Sequence, residues 1–338
     1  MSAPRAVRMG VVGAGALGFH HVRLLRDLPG ATLTGFHDLR EDRAGQVARE
    51  LGVTAFDSLD ALMEGCDALT IVVPTPAHHA VAKRALERGL HLLIEKPLAT
   101  TLAEADELLS IAERTGALVQ TGHVERFNRA VRAALPYVDS PRFIESDRLA
   151  PFNPRGSDVA VVLDLMIHDI DLVNTLVGGA VADIAAVGVP VLTPFVDIAN
   201  ARVTFASGAV ANITSSRVSK ERLRKVRIFQ QSGYLSLDLA AGDGEFYRIR
   251  EGLDLATLAR SPLAIEAFVE RIPLQAPEGE PLRLELESFV GAVHGEHPVV
   301  VSGDAGRDAL ALALRIVGEI ERTLPALSGV PRPDVTRA

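Results

Sequence analysis

The distribution of hydrophobic and polar positions divides the chain into two parts. As far as Thr121, short apolar runs alternate with segments whose apolar residues recur every three or four positions. Such runs are typical of buried parallel strands, and the intervening segments are typical of helices with one buried face. The pattern predicts a doubly wound sheet with helices on both faces. Its predicted strands are 9–12, 31–36, 53–56, 68–73, 91–94 and 118–121.

After Thr121 the pattern changes. Segment 158–177 is apolar on almost every side, which predicts one long buried helix that ends at Gly178. From Ala182 onward, apolar and polar residues alternate, which predicts an antiparallel sheet with one polar face. A sheet face left open in this way often binds another subunit. We therefore expect a homodimer or a homotetramer, with a solvated polar face as the alternative.

A glycine loop directly follows the first predicted strand. Gly13, Gly15 and Gly18 have the GxGxxG spacing, and Asp38 follows the loop by twenty residues, just after the next predicted strand. In a dinucleotide site these glycines allow a tight turn, a close approach of the pyrophosphate and close packing of the helix. The phosphates then lie at the helix N-terminus, where backbone N–H groups favour anions. An ordinary strand-to-helix turn is the alternative, but it does not require the acid.

An acidic residue at position 38 favours NAD over NADP as the cofactor. The carboxylate of Asp38 can accept hydrogen bonds from the ribose hydroxyls, and its charge repels a 2′-phosphate. Arg40, two residues further along, could weaken that preference. We therefore expect an α/β protein that binds NAD. It would consist of a doubly wound Rossmann domain, an α+β domain with an open, mainly antiparallel sheet, and a tail, over 1–123, 124–330 and 331–338.

The composition narrows the classes of function. The 338 residues suffice for two domains, and a net charge of −8 with no tryptophan argues against a nucleic-acid partner. Cys66, the only cysteine, excludes an internal disulfide and a cysteine-bound zinc site. The first eight residues do not form a signal peptide, and no apolar run reaches about 18 residues. We therefore expect a cytoplasmic protein without a membrane partner.

Lys96 is the first candidate for proton chemistry. It follows a predicted strand, at the sheet edge where doubly wound folds bind ligands. An ammonium group there could donate to a substrate oxygen, although a surface lysine at a strand end would have the same position.

Asp164 and His168 are a second candidate, because they lie four residues apart on the predicted long helix. That spacing puts both side chains on one helix face. A carboxylate next to an imidazole fixes its tautomer and raises its basicity, which suits a general base near neutral pH. An i,i+4 surface pair is the alternative. No second histidine lies at ligand spacing, so we expect no metal.

Four motifs occur together along nearly the whole chain. They are Gly13 to Gly18 with Asp38, Thr75-Pro76 with His79, Glu95-Lys96-Pro97, and Asp164 with His168. In this combination they resemble the Gfo/Idh/MocA family of NAD(P)-dependent oxidoreductases. The resemblance implies hydride transfer from a CH–OH group to the nicotinamide. It also implies that His168 takes the hydroxyl proton, Lys96 polarises the reacting oxygen, and Asp164 orients the imidazole or a substrate hydroxyl.

The same resemblance implies a set of cofactor contacts in the glycine loop and at the ends of the following strands. The predicted cofactor-binding residues are Gly13, Gly15, Ala16, Leu17, Gly18, Asp38, Pro74, Thr75, His79, Glu95 and Lys96.

Segments 122–128 and 163–171 are similar to the branch of this family that oxidises UDP-N-acetylglucosamine at C3. Members of that branch usually carry proline after the asparagine, where this chain has Arg129. The resemblance implies a nucleotide-sugar substrate and, downstream, a PLP-dependent aminotransferase that makes a diamino sugar for lipid A. The predicted substrate-binding residues are Lys96, His123, Arg126, Asn128, Arg148, Asn153, Arg155, Ser157, Asp164 and His168.

Two other functions stay open at this point. A member of the same family could act on a free sugar, inositol or an imine such as that of a bilin, although basic residues between Arg148 and Arg155 favour an anionic substrate. A protein that binds the dinucleotide without catalysis, as a sensor, would need the glycine loop but none of Lys96, Asp164 and His168. The presence of all three favours the enzyme.

Overall fold

A computed structural model describes most of the chain, in the ranges 5–154, 156–250 and 268–324. Within these ranges the chain forms two compact units. The first unit contains 5–124 and 279–311, and the second contains the described residues of 125–278 and 312–324. In the described ranges, no helix combines the length and the apolar character needed to cross a bilayer.

The first unit contains a parallel sheet and, up to residue 124, five α-helices. Its strands are β1 (Val7–Val12), β2 (Ala31–His37), β3 (Ala68–Ile71), β4 (His91–Glu95) and β5 (Val119–Gly122). Its helices are α1 (Ala16–Leu25), α2 (Glu41–Leu51), α3 (Leu59–Glu64), α4 (His78–Leu86) and α5 (Leu102–Thr115). The strand order β2-β1-β3-β4-β5 confirms the predicted doubly wound arrangement.

Local sequence explains where several of these helices begin and end. α2 and α5 end at Gly52 and Gly116, whose φ angles of 66° and 72° lie in the left-handed region that glycine tolerates. α5 begins with a capping box. The side chain of Thr101 accepts the N–H of Glu104, and the Glu104 carboxylate accepts the N–H of Thr101. These caps satisfy backbone groups that the helix itself leaves unpaired.

The second unit contains an eight-stranded sheet and, up to residue 278 of the described chain, two α-helices, α6 (Arg129–Ala134) and α7 (Ile167–Val177). Its strands are β6 (Phe143–Leu149), β7 (Val181–Val189), β8 (Ile198–Phe205), β9 (Val210–Ser216), β10 (Leu223–Gln230), β11 (Gly233–Asp238), β12 (Asp243–Ile249) and β13 (Val269–Pro273). The order is β13-β12-β11-β10-β6-β9-β8-β7, and only the β6–β9 pair is parallel. The predicted, mainly antiparallel sheet is therefore confirmed.

Among the described residues, one face of this sheet is covered and the other is open. On β6, Ile144, Ser146 and Arg148 are buried, whereas the alternate residues are half-buried. The open face carries a row of aromatic rings on four neighbouring strands, with centroids 4.8 to 5.7 Å apart. These rings belong to Phe143, Phe229, Tyr234 and Tyr247.

The predicted helix over 158–177 begins three residues later than expected and is irregular in its first turns. A π-helical turn, Val162–Met166, precedes α7. The guanidinium of Arg217 donates to the carbonyls of Gly156 and Val159. These bonds, together with the bond from the Val161 N–H to the carbonyl of Val196, hold the preceding residues in a loop, and the helical segment begins at Val161.

The predicted strand over 53–56 is also wrong. Its only ladder contact is an isolated bridge between Ala55 and Phe36. A single bridge beside β2 leaves the sheet with five strands in this unit.

Two helices follow the last strand of the second sheet, α8 (Pro281–Val293) and α9 (Gly303–Thr323). α8 belongs with the first unit, because Leu286, Phe289 and Val290 lie in the same hydrophobic cluster as residues of β1 and α1. Each unit therefore contains two separate segments of the described chain.

Candidate active site

The carboxyl ends of the parallel strands bring most of the first unit's predicted residues to one edge of the sheet. Ligands bind at this edge in doubly wound folds, next to the point where the strand order reverses. In this structure that point lies between β1 and β3. The predicted residues that end or follow these strands are Gly13, Asp38, Pro74, Thr75, Glu95, Lys96 and His123.

Two glycines of the loop are required by the protein's own backbone. Gly13 has a φ of 92°, and a Cβ on it would lie 2.6 Å from the carbonyl oxygen of Val72. A Cβ on Gly18 would collide with the carbonyl oxygen of Gly13. Larger residues at either position would separate α1 from the sheet.

Gly15 is different, because no described atom of the protein crowds it. Its φ is −60°, and a Cβ on it would meet no atom within 4 Å. Gly15 precedes the first turn of α1, in which Ala16 is exposed and Leu17 half-buried. This open space at a helix N-terminus fits a pyrophosphate that approaches the backbone. The residues present therefore fit the predicted dinucleotide.

The carboxylate of Asp38 is held against the glycine loop. Its Oδ2 accepts the N–H of Ala14 at 2.7 Å, and its Oδ1 accepts the N–H of Arg40 at 2.9 Å. Each oxygen keeps a further lone pair for a ribose hydroxyl. From α2, Nε of Arg43 donates to the carbonyl of Ala14 at 2.8 Å. Arg43 is half-buried, and no sequence motif distinguishes this helix arginine from others.

At the end of β4, the carboxylate of Glu95 is buried beside Lys96. Its Oε1 lies 3.2 Å from Nε2 of His21, and its Oε2 accepts the N–H of Lys96 at 3.3 Å. A Cβ on Gly122 would lie 2.9 Å from the Glu95 carboxyl carbon. Burial alone would raise the pKa of Glu95. The hydrogen bond with His21 and nearby positive charges lower it by more than burial raises it, so the pKa is below its ordinary value. Glu95 thus places a buried negative charge next to the candidate catalytic lysine.

The histidine predicted to contact the cofactor after β3 pairs elsewhere. Nε2 of His79 lies 2.7 Å from the Glu107 carboxylate on α5. The preceding residue, His78, is the buried one, and its ring nitrogens lie 2.9 Å from the carbonyl oxygens of Val73 and Pro97. Burial lowers the pKa of His78. We therefore assign the role of holding this turn to His78, which the sequence alone did not distinguish from its neighbour.

In the second unit, Asp164 lies in the π-helical turn and His168 in the first turn of α7. Both are half-buried. A Cβ on Gly156 would lie 2.7 Å from Oδ2 of Asp164, so the carboxylate rests against the backbone of the preceding loop. Turns of this rare type are frequent at functional sites. The two residues thus lie where the helix is irregular, which the ideal spacing did not indicate.

Two predicted substrate contacts belong to a buried charge network. Arg148 donates through Nε to Asp169 at 2.7 Å and through one terminal nitrogen to Glu125 at 2.8 Å. The amide of Asn128 donates to Glu125 at 3.0 Å and to the carbonyl of Leu239 at 2.8 Å. Because their polar groups bind within the protein, we remove Arg148 and Asn128 from the proposed substrate contacts.

A third predicted contact, Arg126, forms a two-point ion pair with Asp171 at 2.6 and 2.9 Å. Its side chain is only 14% exposed. Arg126 therefore connects the segment before α6 to α7. To contact the substrate as well, its guanidinium would have to bind Asp171 and the substrate at the same time.

The loop before the π-helical turn carries the remaining predicted contacts. Asn153 is exposed, and the hydroxyl of Ser157 donates to the carbonyl of Pro154 at 2.7 Å. Arg155 lies outside the described residues.

In the first unit, His123 is buried, and its backbone N–H donates to the carbonyl of Thr121 at 2.8 Å. Within the described ranges, no three acidic, histidine or cysteine side chains are grouped to hold a metal ion.

The fold and the glycine loop agree with the family to which the sequence is similar. Residues 7–123 match the oxidoreductase family with an NAD-binding Rossmann fold, and residues 131–236 match the GFO/IDH/MocA C-terminal domain. The chain belongs to the Gfo/Idh/MocA family and is an NAD-dependent oxidoreductase. The predicted enzyme class and cofactor are confirmed.

Individual relatives share most of the chain. The UDP-N-acetylglucosamine 3-dehydrogenase of Acidithiobacillus ferrooxidans is 38% identical over 94% of this chain and 98% of its own. A solved structure of that enzyme superimposes with a TM-score of 0.86 at 37% identity, over 94% of this chain and 98% of its own. The scyllo-inositol 2-dehydrogenase (NAD(+)) of Bacillus subtilis is 32% identical over 63% of this chain and 68% of its own.

Proposed function

We propose that this enzyme oxidises the C3 hydroxyl of UDP-N-acetylglucosamine to a ketone, with NAD as the hydride acceptor. The observation that carries the proposal is the similarity to the Acidithiobacillus enzyme over nearly the whole of both chains. The second candidate is oxidation of inositol. It is supported by the Bacillus relative, which matches a smaller part of the chain at lower identity.

The first unit supplies the cofactor site in this proposal. The open space at Gly15 takes the pyrophosphate at the N-terminus of α1, and Asp38 accepts hydrogen bonds from the adenosine ribose. When bound, NAD accepts a hydride at C4 of its nicotinamide. Asp38, which follows β2, would hold the adenosine half of the bound cofactor, and Lys96, which follows β4 at the same sheet edge, would contact its nicotinamide half.

Proton transfer is assigned to three side chains on the basis of family membership. His168 takes the proton of the C3 hydroxyl as the hydride leaves, and Lys96 donates to the same oxygen as it becomes a carbonyl. Asp164 holds the imidazole of His168 in the tautomer that can accept this proton, or holds a substrate hydroxyl.

The product of this reaction would be a 3-keto nucleotide sugar. A ketone next to an acetamido group is a substrate for amine transfer, so we propose that a PLP-dependent aminotransferase consumes it. The resulting diamino sugar would serve a lipid A precursor route.

We also propose that the open face of the second unit's sheet forms the interface of a homodimer or a homotetramer. Its support is the aromatic row that includes Phe229 and Tyr234, whose ring centroids are 4.8 Å apart and whose side chains are half-buried in the single chain. Light scattering after gel filtration measures the mass. Tyr234→Lys is expected to give a monomer, and a monomeric wild-type protein would contradict the proposal.

The experiment that tests the proposed reaction is NADH absorbance with enzyme near stoichiometric concentration. Each reaction contains NAD or NADP with UDP-N-acetylglucosamine, another UDP-sugar, inositol or a free sugar. High enzyme concentration makes a small burst visible when formation of the ketone is unfavourable. A burst with NAD and UDP-N-acetylglucosamine is expected. A signal with inositol alone supports the second candidate, and silence with confirmed NAD binding supports a sensor.

A further inference from the structure

Three arginines lie together where β6 ends and β10 begins. Arg148 on β6 pairs directly with Arg224 on β10, and Arg222 immediately precedes that strand's first residue. Directly opposed residues of antiparallel strands project from the same face. Arg224 is therefore on the covered face with Arg148, as the burial of Val226 and Ile228 further along β10 also indicates.

The acidic side chains next to these arginines are used mainly by Arg148. Arg148 binds Asp169 at 2.7 Å and Glu125 at 2.8 Å, and its side chain is only 5% exposed. Arg224 lies 3.7 Å from the same Glu125 oxygen, and its side chain is 44% exposed. Arg148 and Arg224 thus share the Glu125 carboxylate, and Arg224 is the one of the two that solvent can reach.

The surroundings of Arg224 disfavour its charge when no anion is bound. Partial burial, followed by the charges of Arg148 and Arg222, lowers the pKa of Arg224, while Glu125 opposes that effect. A guanidinium stays charged at any physiological pH, so this repulsion persists as a cost in the free protein. An anion that binds here would relieve it.

The arginines also adjoin the loop that leads to Asp164. The N–H of Ala150 donates to the carbonyl of Ser216 at 2.8 Å, and the N–H of Ser219 donates to the carbonyl of Ala150 at 3.0 Å. These bonds hold the start of the loop against the segment that carries Arg222. The loop's other end, at Gly156, rests on the Asp164 carboxylate.

We propose that Arg224, assisted by Arg222, binds the diphosphate of the nucleotide-sugar substrate. The inference deepens the proposed function and rests on it for the identity of the anion. A planar guanidinium can donate two parallel hydrogen bonds to phosphate oxygens, which suits a diphosphate better than an uncharged sugar. In this assignment Arg224 replaces Arg148, its buried neighbour on the adjacent strand, among the predicted substrate-binding residues.

The test compares Arg224→Gln with Arg142→Gln. Arg142 is exposed and directly precedes β6, at the opposite end of that strand from Arg148, so its replacement removes the same charge elsewhere in the same unit. Calorimetry measures the Kd of UDP and of uridine, and steady-state rates give kcat and KM for UDP-N-acetylglucosamine. Circular dichroism confirms that each variant is folded.

For Arg224→Gln we expect the Kd of UDP and the KM of the nucleotide sugar to rise about tenfold or more, because a charged hydrogen-bonding partner is lost. The Kd of uridine and the kcat should change less than twofold. Arg222→Gln should give a smaller rise in the same direction, and it replaces the first variant if that one fails to fold. Arg142→Gln should match the wild type.

The outcomes separate this inference from the proposed function. If the wild type oxidises UDP-N-acetylglucosamine and Arg224→Gln keeps the wild-type KM and UDP affinity, the diphosphate site is wrong and the function stands. If the wild type binds UDP through Arg224 but oxidises only another substrate, the site stands and the proposed substrate is wrong. If the wild type neither binds UDP nor oxidises a UDP-sugar, both are overturned.

Discussion

Nε2 of His21 on α1 lies 3.2 Å from Oε1 of Glu95 at the end of β4, and both side chains are buried. The pair links the helix that begins at the glycine loop to the strand that precedes Lys96. The second oxygen of Glu95 accepts the N–H of Lys96 at 3.3 Å. A single buried carboxylate therefore connects the cofactor helix with the candidate catalytic lysine.

This pair gives the protein a stability that depends on pH. Because the pKa of Glu95 is below its ordinary value in the folded protein, its ionised form stabilises the fold above a carboxyl pKa of about 4.3. That stabilisation is lost as the pH falls through the lowered pKa. Between about pH 5 and pH 3, we expect the Tm of the wild type to fall more steeply than that of Glu95→Gln.

Thermal unfolding followed by circular dichroism over this pH range measures the difference. Glu50→Gln, on the exposed face of α2, is the control and should follow the wild-type curve. Parallel curves for the wild type and Glu95→Gln would show that the carboxylate has no such role.

Replacement by alanine should have different effects at Gly15 and at Gly18, the last two glycines of the loop. Gly15→Ala meets open space, so the free energy of unfolding should change by less than about 0.5 kcal/mol, while NAD affinity falls at least tenfold. Gly18→Ala forces a methyl group against the carbonyl of Gly13 and should destabilise the fold by about 2 kcal/mol or more. Urea unfolding and NADH fluorescence titration measure both effects. Normal NAD binding by Gly15→Ala would show that the pyrophosphate does not bind next to Gly15.

Arg148→Met should act on stability before it acts on catalysis. The substitution leaves Asp169 and Glu125 buried without their cation, which costs about 3–5 kcal/mol in comparable networks. Urea unfolding measures this loss. Arg84→Met, which removes a surface ion pair with Asp60, is the control and should change stability little. If the Arg148 variant has normal stability and a raised substrate KM, Arg148 contacts the substrate and its assignment here is wrong.

Lys96→Met and His168→Ala should each lower kcat by about 10²- to 10⁴-fold, because each removes a group assigned to proton transfer. NAD affinity, measured by calorimetry, should remain within a few fold of the wild type. Lys83→Met is the matched control, since Lys83 is an exposed lysine paired with Glu107 on the surface. Near-normal turnover in either active-site variant would overturn the assigned roles.

Much of the fold was predictable because its signals are local. Parallel strands are continuous apolar runs, helices end at glycines such as Gly52 and Gly116, and Asp38 follows the glycine loop by only twenty residues. Each of these signals depends on backbone conformation or side-chain periodicity within a short segment. The family motifs at Lys96 and His168 are equally local.

The sequence by itself determined the doubly wound sheet, the cofactor class and the family. Only the tertiary structure decided which polar residues are available to a ligand. Arg148 and Arg224 are both arginines near a strand end, but Arg148 is enclosed by Asp169 and Glu125, whereas Arg224 reaches solvent. His78 and His79 are adjacent in sequence, yet one is buried and the other pairs with Glu107. These differences depend on partners distant in the chain, because burial and ion pairing are set by the packing of whole elements.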